Sequence, residues 1–183
     1  AWSALYGAAS AASVSGDAGR IALPAGHTRN MALQSLALQD VTIATDFSLA
    51  EAPVTGSSYA GVVARQNATD NYQVRVWLRN DGSVWLVTQR GNTVLNTYAV
   101  PGITRAAGET FTLRAAFVGT GTTTIQAKLW RTGEAEPASW QIVSTDATPA
   151  LQSPGYVAVH ANRGSASTSA GTFTFDNFRA AGQ

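Results

Sequence analysis

The stretch Tyr72–Arg90, Tyr-Gln-Val-Arg-Val-Trp-Leu-Arg-Asn-Asp-Gly-Ser-Val-Trp-Leu-Val-Thr-Gln-Arg, restricts the fold of this chain more than any other. Tyr72, Val74, Val76 and Leu78 alternate with Gln73, Arg75, Trp77 and Arg79, the period of two that a half-buried strand requires. Asn80-Asp81-Gly82 then turns the chain, either as a two-residue Asp-Gly loop or as a three-residue loop ending in a left-handed glycine. The two loops differ by one residue of register, and such a slip sends the second arm's apolar set to the opposite face. Only the three-residue loop sets Leu78 opposite Val84, Val76 opposite Leu86 and Val74 opposite Thr88. That hairpin is the expected one.

The same register sets Trp77 opposite Trp85 on the face turned away from the core, with Gln73, Arg75, Arg79 and Gln89 around them. Cross-strand Cβ atoms lie about 5 Å apart, so the indoles are expected to form one apolar platform fringed by hydrogen-bonding groups. An exposed aromatic patch with a polar rim marks a binding surface. The competing reading is that another part of the chain, or a neighbouring domain, covers rings that are usually buried.

Elsewhere the chain offers short extended runs separated by turns. Trp2–Tyr6, Ala12–Val14, Arg20–Leu23 and Thr28–Leu36 precede the clear alternation of Val41–Leu49, whose inward set is Val41, Ile43, Thr45, Phe47 and Leu49. A polar connection, Glu51–Ser58 with Pro53 and Gly56, leads to Tyr59–Gln66. Thr93–Val100 follows the hairpin and is expected to stop at Pro101-Gly102. Thr110–Val118, Thr123–Arg131, Ser139–Ser144, Tyr156–Asn162 and Gly171–Arg179 complete the set, with one helical turn at Thr148–Gln152. On Thr110–Val118, Arg114 faces away from the core; on Tyr156–Asn162, His160 and Asn162 do. On Gly171–Arg179 the inward Phe173, Phe175 and Phe178 require a one-residue slip. There is no internal repeat and no dividing linker in the 183 residues, a length suited to one core. The expectation is a single all-β domain, a two-sheet antiparallel β-sandwich.

Bulk chemistry narrows the function. Charged residues make up 13% of the chain and nearly cancel at +1, which gives no footprint for nucleic acid. Cysteine is absent, so there is neither a disulfide framework nor thiol chemistry, and no apolar run reaches membrane length. Glycoside hydrolysis calls for two carboxylates about 5–10 Å apart. Glu134 and Glu136 flank a hairpin tip, and Asp46 has no second carboxylate alternating with it on its strand, so no acid–base pair emerges. The two histidines, His27 in a Pro/Gly turn and His160 on a strand, accompany no nucleophile elbow and no zinc spacing. Gly119-Thr120-Gly121 lies between strands, so it reads as a turn and does not read as a phosphate loop. Asp176, before Asn177, is a candidate ligand for a structural calcium ion, with the loop around Asp17 as a further source; a carboxylate bonded to main chain at a strand end is the plainer reading. Asn67-Ala68-Thr69 is a glycosylation sequon that matters only in a glycosylating host.

Several short motifs resemble one known group. Ala1-Trp2 through Ser13-Val14-Ser15-Gly16, Gly19-Arg20-Ile21, Leu129-Trp130-Arg131-x-Gly133 with Glu136-Pro137-x-x-Trp140, Gly155-Tyr156-Val157 and Phe175-Asp176-Asn177-Phe178 are similar to modules of secreted multidomain proteins of actinobacteria. Those modules resemble the concanavalin A-like lectin/glucanase jelly rolls, laminin-G-like domains included. The resemblance implies a convex and a concave sheet, ligands on the concave face or its rim, calcium in some relatives, and a bacterial secreted or cell-surface location. It also implies an excised module with neighbouring domains of the same parent as partners. Catalytic relatives carry Glu-x-Asp-x-x-Glu or Glu-x-Asp-x-Glu on a strand, and this chain has neither. The expectation is therefore a non-catalytic module that binds polysaccharide or another glycan. Trp77 and Trp85 would serve as platforms, Arg75, Arg79, Gln73 and Gln89 as polar contacts, and Arg65, Arg114, His160 and Asn162 as further contacts if their strands lie alongside. The alternative is a structural or adhesive module that docks a domain or protein partner through the same indoles.

Overall fold

A computed structural model describes residues 1–52 and 55–183. Pro53 of the expected polar connection lies outside the described residues. The strands are β1 (Ser3–Tyr6), β2 (Ala12–Ser15), β3 (Ala18–Leu23), β4 (His27–Leu38), β5 (Val41–Leu49), β6 (Ser58–Gln66), β7 (Tyr72–Leu78), β8 (Ser83–Arg90), β9 (Thr93–Thr104), β10 (Thr110–Val118), β11 (Thr123–Arg131), β12 (Ile142–Asp146), β13 (Gly155–Arg163) and β14 (Gly171–Gly182). Single 3₁₀ turns at Ala9–Ala11 and Pro149–Leu151 interrupt them, the second where a helical turn was expected.

Among the described residues the strands build two seven-stranded sheets, in the orders β1-β4-β13-β6-β7-β8-β9 and β12-β11-β10-β5-β14-β3-β2. Every pairing is antiparallel. Sequence-distant strands become neighbours in each sheet, and the result is a jelly-roll sandwich.

The inner faces alternate as the sequence predicts. Val41, Ile43, Thr45, Phe47 and Leu49 of β5 are all buried and meet Val74, Val76, Leu78 and Leu86 of the hairpin in one continuous core. Phe47 lies at its centre, 5.9 Å from the Phe111 ring and 6.5 Å from the Phe175 ring. The β7–β8 register matches the three-residue loop: Leu78 faces Val84, Trp77 faces Trp85, and Val76 faces Leu86. Gly82 closes that loop at φ +83°, where a side chain would strain the backbone, and its N–H donates to the Arg79 carbonyl. The slip expected in the last strand is present as an irregularity between Asp176 and Arg179 in the pairing of β14 with β5.

Several strand boundaries differ from expectation. β9 continues through Pro101 to Thr104 as the edge of its sheet, and Pro101 falls in the register shift between the Trp85–Ala99 and Ser83–Thr104 pairs, where a missing N–H removes no paired position. The strand expected at Ser139–Ser144 begins only at Ile142. β4 and β14 are longer than their alternation shows.

Candidate functional site

The first sheet's outer face gathers most of the expected site residues. Asn30, His160, Gly61 and Arg75 are successive cross-strand partners on β4, β13, β6 and β7. One row away lie Ala32, Ala158, Val63, Gln73 and Gln89. On the other side of the central row lie Thr28, Asn162, Tyr59, Trp77 and Trp85. Strand spacing of about 4.8 Å puts the Arg75 and His160 backbones roughly 10 Å apart. The position between them, Gly61, carries no side chain.

A groove of about 400 Å³ opens on this face, with Asn30, His160, Gln73, Arg75, Asp70 and Asn71 in its lining. His160 is 3% exposed, and one of its ring nitrogens, Nδ1, hydrogen-bonds Asn30 Oδ1 at 2.7 Å. Burial, reinforced by the positive charge of Arg75, pushes its pKa down from 6.5 to about 3, so the imidazole is neutral. Burial also pushes the Arg75 guanidinium below its ordinary value, against which the Tyr59 phenol acts. Arg75 lies over the Tyr59 ring at 5.3 Å. Gln73 Nε2 donates to Asn71 Oδ1 at 2.7 Å, and Asp70 Oδ1 accepts the Asn71 N–H at 2.9 Å.

Nine side-chain nitrogen or oxygen atoms among the described residues are buried without a protein partner. Five of them, Gln73 Oε1, Arg75 Nε, Trp77 Nε1, Gln89 Oε1 and His160 Nε2, belong to this one face. Buried polar atoms are normally paired, by protein or by ordered water, so this concentration marks the face as a candidate binding surface.

The indoles depart from the flat platform expected of them. Trp77 and Trp85 are in contact, 6.1 Å apart at their centroids, but inclined at 50°. Trp77 instead stacks on Tyr59 at 5.8 Å and 18°. The Arg79 guanidinium covers both indoles, 4.9 Å from Trp77 and 5.6 Å from Trp85, and pairs with Asp81 at 3.7 Å. Both indoles are half-buried and lie beside the groove, outside its lining.

Two expected contacts are corrected. Arg65 is 1% exposed and points into the molecule, because a left-handed φ of +49° rotates it out of the alternation of β6. Its guanidinium donates to the Gln39, Leu151 and Gly119 carbonyls, to Thr123 Oγ1 and to Asp40 Oδ1. Arg114 does face outward, but on β10 of the other sheet, where it pairs with Glu136 at 2.9 Å beside Lys128. Asn162 shares the groove's face one row away and donates to Thr28 Oγ1 at 2.6 Å. Gln89 is buried alongside Gln73.

Asp176 lies on the outer face of the second sheet, where Oδ1 accepts the Asn177 N–H at 2.7 Å. It is the cross-strand partner of Asp46, a carboxylate neighbour that alternation along β5 could not show. Asn177 Nδ2 bonds Asp46 Oδ2 at 2.7 Å. Asp17 and Asp176 line a second, more apolar groove with Trp2 and Phe178, and no group of three or more His, Cys, Asp or Glu is gathered among the described residues.

Sequence reasoning missed Asn30, Tyr59, Asp70 and Asn71. Tyr59 had a signal, since it alternates with the apolar Ala60 on the strand preceding the hairpin. Asn30 had none, because its role depends on β4 pairing with β13, 130 residues away.

No protein-family model matches this chain, and no curated protein matches it. Solved structures do. A carbohydrate-binding module, CBM66 from Bacillus subtilis, superposes with a TM-score of 0.66 at 14% identity over 98% of this chain and 94% of that one. A β-glucanase from Bacillus licheniformis gives 0.62 at 12% identity, over 100% and 92%. A legume lectin-like domain from Entamoeba histolytica gives 0.58 at 9% identity, over 94% and 87%. At such identities the likeness is one of fold: the sandwich is concanavalin A-like, and it supports both binding and catalysis in those proteins.

Proposed function

We propose that this domain is a non-catalytic glycan-binding module whose site is the groove on the outer face of the first sheet. The observation that carries the reading is the cluster of buried, unpartnered polar atoms on Gln73, Arg75 and His160 in the groove, with Gln89 and Trp77 on the same face. Sugar hydroxyls are both donors and acceptors, and a pyranose or furanose ring can meet the amide oxygen of Gln73, the ring nitrogen of His160 and the Arg75 guanidinium together. The stacked Tyr59 and Trp77, with Trp85 inclined beside them and the Arg79 guanidinium over both indoles, continue the surface and supply ring edges and a further donor for other residues of a chain. Asp70 is the one carboxylate in the groove lining, where hydrolysis by the usual route takes two.

The fold likeness to a carbohydrate-binding module and a lectin-like domain is compatible with this reading, and the site geometry is its argument. The test is retention of the isolated domain on a panel of soluble and insoluble polysaccharides, with Gln73→Ala/Arg75→Ala beside the wild type. Retention by the wild type and its loss in the double variant, at unchanged circular dichroism, is the expected result. Equal retention of both proteins, or none by either, overturns the proposal.

A further inference from the structure

The groove has an electrical direction. Along the outward-facing positions of β7 and the turn before it, Arg75 is followed by Gln73, then by Asn71 and Asp70. Gln73 and Asn71 are bonded to each other and separate the cation from the carboxylate. Among the described residues Arg75 has no carboxylate within 4.0 Å and donates no hydrogen bond, whereas the more deeply buried Arg105 and Arg163, likewise without a carboxylate, donate to the Glu51 carbonyl and to Ser58 and Ser169. The contact of Arg75 itself is the face of Tyr59, and its Nε is buried without an acceptor. Beside it His160 contributes no charge, since its imidazole is neutral, but leaves a buried ring nitrogen free. A half-buried guanidinium without a counter-ion carries a desolvation cost, which the face of Tyr59 offsets only in part.

We infer that the groove takes an anionic sugar, one bearing a carboxylate or a sulfate, with the anionic group on Arg75 and ring hydroxyls toward Gln73 and Asp70. The inference rests on the glycan-binding reading above and adds the charge of the ligand. A guanidinium meets a carboxylate or a sulfate through paired N–H donors, a fit that a neutral hydroxyl reproduces only in part. Asp70 at the far end orients the sugar by repelling its anion and accepting from its hydroxyls.

The experiment uses unmodified protein, so folding of a variant is not at issue. Calorimetric titrations with alginate and polygalacturonate oligosaccharides are compared with the same oligosaccharides after reduction of their carboxylates to primary alcohols, and with κ-carrageenan oligosaccharides as the sulfated arm. Loss of one charge-assisted hydrogen-bonded contact should weaken binding roughly ten- to hundredfold. The expected result is that at least one anionic arm binds and that its affinity falls as salt is raised. Carboxylate-reduced sugars should bind at least tenfold more weakly, and the arm that binds identifies the anion. Arg75→Gln should erase the difference, whereas Arg179→Gln, an exposed arginine on β14 of the other sheet, should leave it intact. Equal binding of reduced and unreduced oligosaccharides overturns the anionic inference while leaving glycan binding standing. Absence of binding by every anionic arm, with retention on a neutral polysaccharide, does the same. No binding to any polysaccharide overturns both.

Discussion

Arg75 and His160 stand in one cross-strand row with only the α-carbon of Gly61 between their strands. The guanidinium's charge and the imidazole's burial act in the same direction, each opposing a proton on His160. That relationship gives the site a pH signature that can be measured without a ligand.

An unfolded histidine protonates near pH 6.5, whereas His160 in the fold does so only near pH 3. Between those values the unfolded state binds more protons, so folding stability must fall as pH falls, by roughly 1.4 kcal/mol per pH unit for a single group. Above pH 6.5 both states are neutral and the penalty vanishes. Urea melts of wild type and His160→Gln at pH 7.5 and pH 5 should therefore show the wild type losing roughly 2 kcal/mol more than the variant. A pH-independent gap between the two proteins would mean that the ring takes up its proton in the fold at the same pH as in the unfolded chain.

Gly61 is expected to tolerate no side chain. A Cβ built there lies 2.2 Å from the Val74 carbonyl oxygen and 2.9 Å from the Arg75 α-carbon, both main-chain neighbours that cannot swing aside. Gly61→Ala must part β6 from β7, at a cost of about 1–3 kcal/mol for forced overpacking, and must displace Arg75. Thermal melting should record the first effect, and weakened glycan retention the second. A variant with wild-type melting and retention would show that the two strands are not held this closely.

Arg79 is expected to shield the indoles. Its guanidinium lies over both rings, while its pairing with Asp81 is at the surface and contributes little. Arg79→Ala should lower stability by only about 0.5–1 kcal/mol, in line with an exposed cation–π contact. Acrylamide should nevertheless quench the fluorescence of the variant more strongly. The same measurement in a Trp77→Phe/Trp85→Phe background separates these rings from the other three tryptophans, and there the effect of Arg79→Ala should disappear.

The distribution of what sequence revealed follows the range of the interactions. The register of β7 and β8 was legible because the turn and both alternations lie within 19 residues, and each independently demands the same pairing. The adjacency of Trp77 and Trp85 followed from it, but their 50° inclination did not, since side-chain torsions answer to Tyr59 and Arg79. The groove depends on β13 lying between β4 and β6, pairings that join residues about a hundred positions apart and leave no local trace. His160 and Asn162 were assigned to the correct face by alternation alone. Arg114 was too, but alternation tells a strand's inside from its outside and cannot tell one sheet from the other.

Arg65 shows where alternation fails outright. As a residue two beyond Val63 it should face outward, yet φ of +49° turns it in, and a left-handed non-glycine residue costs of order 1–3 kcal/mol. The conformation persists because the guanidinium joins both sheets, bonding the Gln39 and Gly119 carbonyls at 2.7 and 2.8 Å and the Leu151 carbonyl at 3.0 Å, with Asp40 3.1 Å away. Burial lowers its pKa, and Asp40 acts against that. Arg65→Met preserves the stem but strands those acceptors and keeps the strained backbone, so it should lose about 3–5 kcal/mol. Asp40→Asn should lose far less, since an amide oxygen can still accept from Arg65 and from the Gly119 N–H that Asp40 now binds at 3.0 Å. Urea denaturation of both variants checks the ordering. A loss in Arg65→Met no larger than in Asp40→Asn would mean that the fold does not depend on this arginine, and that its inward turn serves something other than the union of the two sheets.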